Sequence, residues 1–79
     1  MLRLKNIKKN NETIQADYYP EDTMECGFVK ISSYSHEILE SKLTSYDGVI
    51  KAYMSHAVTA LERLVDSKSL PEERVVMWY

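Results

Sequence analysis

Residues 47–67 read DGVIKAYMSHAVTALERLVDS, and the fold turns on how these side chains distribute around a helix. At about 100° per residue, Ile50, Tyr53, Met54, Ala57, Leu61, Leu64 and Val65 gather on one side. Lys51, Ser55, Thr59, Glu62, Arg63 and Asp66 gather on the other, and Ala52 alone intrudes. Thr44, Ser45 and Asp47 come first, with side-chain oxygens suited to the unpaired amides of a first helical turn. The spacing predicts one amphipathic helix from about Asp47 to Ser67, long enough at roughly 30 Å to cross a small sheet.

Upstream of the helix the period changes to two. Leu2 to Ile7 alternates apolar and basic residues. After Lys8-Lys9-Asn10-Asn11-Glu12, the segment from Thr13 to Tyr19 resumes, with Ile14, Ala16 and Tyr18 on one face. Such patterning around an Asn-rich turn predicts a β-hairpin, with Asn10 and Asn11 taking left-handed conformations. Pro20 has no amide hydrogen and is expected to end the second strand, leaving Pro20 to Glu25 as an acidic loop. Phe28-Val29-Lys30-Ile31-Ser32 is rich in strand formers, and Ser32 to Ser35 reads as a turn. The segment from His36 to Leu43 fits a strand or one helical turn, and a strand completing a second hairpin is preferred.

Downstream, Pro71 and Glu72-Glu73-Arg74 separate the helix from Val75-Val76-Met77-Trp78-Tyr79, which is apolar at every position. A strand buried on one face alternates, so this run predicts an interior strand covered on both faces. The resulting fold is α+β: a small, mainly antiparallel sheet of four to five strands in β-β-β-β-α-β order. One long helix packs on one face, in a single domain spanning residues 1–79.

One helix covers only one face of such a sheet, so the other must be polar or be covered from outside the chain. The residues that compete for that second face are Tyr18, Tyr19, Phe28, Val76, Trp78 and Tyr79. They either complete a thin core or form the interface of a homodimer or an unidentified protein partner, since aromatics anchor interfaces.

Composition narrows the alternatives. A chain of 79 residues forms a thin core, which disulfides, a metal or association often reinforce. Cys26 is the lone cysteine, so no disulfide forms within the chain, and Cys26, His36 and His56 are too far apart in sequence for a zinc site. Hydrophobic residues at 44% and charged residues at 28% describe an ordinary globular domain. No apolar run reaches the ~20 residues of a membrane helix, and no signal-peptide pattern opens the chain, which points to the cytoplasm.

Catalytic chemistry finds little purchase. His56 is a candidate base, but only Ser55 and Arg63 accompany it, and both are common on solvated faces. His36 adjoins Glu37 in a turn or strand end. Cys26 lies among Glu21, Asp22 and Glu25, an acidic setting that opposes a nucleophilic thiolate. Those acids lack EF-hand spacing. Gly27 and Gly48 are the only glycines, too few for a phosphate-binding loop. No catalytic, cofactor-binding or metal residue is assigned, and no small-molecule substrate is evident.

The expectation is a non-enzymatic interaction domain that self-associates through a sheet face or edge. The alternative is a nucleic-acid-binding accessory protein that uses Arg3, Lys5, Lys8 and Lys9 of the first hairpin, with Tyr18 and Tyr19 nearby. A net charge of −2 weighs against nucleic acid. Element order carries no family motif.

Overall fold

Period-two alternation needs a sheet with one dry side, and the chain builds one. The computed structural model describes residues 2–21, 23–45, 47, 52–67 and 69–76. Within them run β1 (Leu2–Lys9), β2 (Thr13–Pro20), β3 (Gly27–Ser32), β4 (Ile38–Lys42), α1 (Ala52–Leu64) and β5 (Arg74–Val76). The strands form one sheet in the order β4-β3-β2-β1-β5, and every neighbouring pair is antiparallel. The α+β architecture and the element order are those read from the sequence.

β2 is the spine. Ile14, Ala16, Tyr18 and Pro20 are buried, while the residues between them are half-buried on the opposite face. Antiparallel partners share a face, so Val29 opposite Ala16 and Ile31 opposite Ile14 extend the dry side into β3. Leu2 and Leu4 of β1 extend it the other way. Plain alternation would turn Ile7 outward. A bulge prevents this: Asn6 takes a positive φ of 55° and the register shifts between Lys5 and Lys8, which returns Ile7 to the core.

Met54, Ala57, Ala60, Leu61 and Leu64 of α1 close the core from above, with Val65 just past the helix. Each fully buried leucine or isoleucine contributes about 1.5–3 kcal/mol relative to leaving it in water. Ile50 of the expected stripe, with the rest of 48–51, lies outside the described residues.

Two expectations need correction. Neither Asn10 nor Asn11 is left-handed; among the described residues the non-glycine ones with positive φ are Asn6, Glu21 and His36. Asn10 makes the hairpin turn with its side chain, whose Oδ1 accepts from the Glu12 and Thr13 amides, each at 2.8 Å. The closing strand is not interior either. Among the described residues β5 pairs with β1 alone, through Leu2–Val76, Arg3–Val75 and Leu4–Arg74, and there it forms an edge. Val75 is accordingly 52% exposed, so an unbroken apolar run did not mean two covered faces there. The last three residues of that run, Met77 to Tyr79, fall outside the described set.

Candidate functional site

The most strongly organised polar group is Asp47, only 2% exposed. Its Oδ2 accepts from the Tyr18 hydroxyl at 2.8 Å, the Thr44 amide at 2.9 Å and the Thr44 hydroxyl at 2.8 Å. Its Oδ1 accepts from the Met54 amide at 2.8 Å, so it caps the first turn of α1 from seven residues away. Burial alone would push this carboxyl up, but the bonds from Thr44, Met54 and Tyr18 outweigh it and hold Asp47 below its ordinary value. The Tyr18 phenol moves the other way, raised by burial first and by Asp47 second. Tyr18 also approaches the Lys42 carbonyl at 3.3 Å. A cluster whose donors are already engaged is an anchor, and it ties β2, the end of β4 and α1 together.

That anchor decides where Tyr18 lies. It is fully buried beneath α1 and belongs to the core, not to an exposed interface. Gly27 sits against its ring, since an added Cβ would lie 2.3 Å from the ring carbon bearing the hydroxyl. Tyr19 and Phe28 are on the opposite, open face, both half-buried. Val76 packs against the core beside α1. Trp78 and Tyr79 lie outside the described residues. The four described candidates therefore do not form one patch.

The open face itself is largely polar. Register sets Arg3 beside Tyr19 and aligns two rows across the four strands from β1 to β4: Lys5, Asp17, Phe28 and Lys42 in one, and Lys8, Gln15, Lys30 and Glu40 in the other. Lys5 stacks its ammonium over the Tyr19 ring at 5.4 Å, and Asn6 donates to Asp17 at 2.8 Å. The Tyr19 phenol is raised, chiefly by a hydrogen bond with Cys26. Long amphipathic side chains of this kind shield a sheet without a second layer. Lys9 turns to the helix side and donates to the Val65 carbonyl.

The uncovered apolar surface is elsewhere. Among the described residues, α1 packs over β1, β2, β3 and β5 but does not touch β4. Ile38 lies opposite Ile31, whose side chain is buried, yet Ile38 has no helix above it and is 46% exposed. Leu39 at 51% and Leu43 at 41% accompany it, with exposed Met24 and Tyr34 in the flanking loops. All five residues of β4 are exposed, and its outer backbone edge has no partner strand among the described residues. The register slips between Lys30 and Ile31, leaving Leu39 as the extra residue of a bulge. Sequence reading passed over this edge because Ile38 and Leu39 are ordinary core residue types. Their exposure depends on where α1 lands, which no local pattern states.

The residues weighed for catalysis sit apart, on α1, in the β3–β4 turn and at the entry to β3. His56 lines a groove of about 480 Å³ between α1 and β5, with Thr59, Ala60, Arg63, Arg74 and Val76. His36 Nδ1 lies 3.2 Å from Glu62 Oε2, tying the β3–β4 turn to the helix. The Cys26 thiol donates to the Gly27 carbonyl at 3.2 Å. Among the described residues no group of three or more His, Cys, Asp or Glu side chains is placed to hold a metal ion. Nor is any helix among them long and apolar enough to cross a membrane.

No protein-family model matches the chain, and no curated protein and no solved structure matches it either.

Proposed function

We propose that this chain is a non-enzymatic protein-interaction domain of the cytoplasm that self-associates through the β4 edge of its sheet. The observation that carries this reading is the reach of α1, which leaves Ile38, Leu39 and Leu43 uncovered beside a backbone edge that has no partner strand among the described residues. An edge strand offers a row of unused amides and carbonyls, and natural domains usually block such edges with lysines, prolines or strong twist. β4 carries a single lysine, Lys42, and no proline. Strand addition supplies affinity through main-chain hydrogen bonds, and flanking side chains supply selectivity.

Light scattering across a concentration series tests the reading. The native chain should form a dimer, and Leu39→Lys with Leu43→Lys should return it to monomer with an unchanged circular dichroism spectrum. A native chain that stays monomeric at millimolar concentration would end the self-association reading.

One observation favours a second reading. The open face gathers Arg3, Lys5, Lys8, Lys30 and Lys42 against Asp17 and Glu40, with Tyr19 and Phe28 among them. A local excess of cations beside aromatic rings suits a single-stranded nucleic acid, despite the net charge of −2. Fluorescence anisotropy with mixed-sequence oligonucleotides checks this, since phosphate contacts weaken steeply with added salt. No binding at low salt retires it.

A further inference from the structure

The edge residues Leu39-Glu40-Ser41-Lys42-Leu43 carry a pattern that reads the same in both directions once charge sign is exchanged. Ser41 is the centre, a carboxylate and an ammonium flank it, and a leucine lies beyond each. In an antiparallel pair, directly opposite residues share a face and meet side chain to side chain. Two copies of this segment, laid antiparallel about Ser41, therefore satisfy each other.

We infer that the occupant of the β4 edge is a second copy of this chain, paired antiparallel about a two-fold axis at Ser41. This rests on the self-association reading and adds to it a register. Glu40 then faces Lys42 of the second copy, and Lys42 faces its Glu40. Leu39 faces Leu43, and Leu43 faces Leu39. Glu40 and Lys42 lie on the open face, because their partners in β3 are Lys30 and Phe28. Ser41 lies on the helix side, opposite Val29, and alternation puts Leu43 there too. The charge pairs and the leucine contacts thus form on opposite faces of the joined sheet, and the leucines meet on the shelf that α1 leaves bare. Both helices then lie on the same side of a continuous sheet.

Neighbouring registers are worse. Sliding one copy by two residues sets Glu40 against Glu40 or Lys42 against Lys42, and like charges directly opposite are unfavourable. Both slides also separate Leu39 from Leu43. Isologous pairing of this kind makes every favourable contact twice.

Charge-exchange variants test the register. Glu40→Lys and Lys42→Glu should each weaken the dimer by roughly tenfold or more, since each turns two attractive pairs into repulsive ones. Mixed in equal amounts, the two variants should form the heterodimer in preference to either homodimer, as read by native mass spectrometry. The double variant E40K/K42E should dimerise as the native chain does, which controls for any loss of folding in the single variants. In a Cys26→Ser background, Ser41→Cys should cross-link copy to copy under oxidised glutathione, whereas Ile38→Cys should not. A native dimer whose charge variants mix statistically and whose Ser41→Cys form fails to cross-link overturns the register while leaving the self-association reading in place. A strictly monomeric native chain overturns both.

Discussion

Asp47 receives four hydrogen bonds in a place that water does not reach, so its loss strands four donors at once. Asp47→Ala should therefore destabilise the domain by about 3 kcal/mol, more than a single neutral hydrogen bond contributes. Urea titration followed by circular dichroism measures this. The same carboxylate sets an acid limit. Its folded pKa lies below the ordinary 3.8, so its contribution is present above that pH and is lost as pH falls through the folded value. Tyr18 sets the opposite limit. Its folded pKa is raised, so its contribution is whole below the ordinary 10.0 and fades as pH climbs beyond. Thermal melts should show a plateau between these limits, and Asp47→Ala should flatten the acid slope. The sequence announced Asp47 as a helix cap, and it caps the Met54 amide. The bond to Tyr18, across 29 residues, was invisible there because it depends on how β2 lies against the loop after β4.

The helix was legible because its stripe is wide and regular, and Met54, Ala57, Leu61, Leu64 and Val65 are all buried as the wheel requires. Leu61→Asp should unfold the domain, since it puts an unpaired charge into a seam that is fully closed. Glu62→Ala, one residue on, should cost less than about 1 kcal/mol, the range of an exposed ion pair. It is not wholly silent, because Glu62 meets His36 of the β3–β4 turn. Chemical melts of the two variants check the ranking, and a reversed order would mean the wheel is turned the wrong way. The first hairpin was equally legible, but its bulge was not. Nothing in Lys5-Asn6-Ile7-Lys8 says which residue is extra until β2 fixes the register.

At the scale of the whole molecule, α1, the one helix among the described residues, shelters one face of the sheet as expected, but the consequence falls in a different place. The face opposite α1 dresses itself in lysine, arginine and glutamine stems, and the apolar surplus collects at the flank the helix fails to reach. Residue types alone do not separate these outcomes, because Ile38 and Ile31 are chemically identical and differ only in what lies above them. Strand order settles it, and strand order is the information that a period-two pattern lacks.

Thr44, two residues past β4, gives both its amide and its hydroxyl to Asp47, while the Lys42 carbonyl borders the Tyr18 phenol. The tail of β4 is thereby held taut from the interior, and its freedom is lost when the domain folds rather than when a neighbour arrives. Rigid templates bind more tightly than slack ones. Tyr18→Phe, hidden from any visitor, should therefore loosen the proposed dimer several-fold in sedimentation equilibrium, with Leu39 and Leu43 untouched.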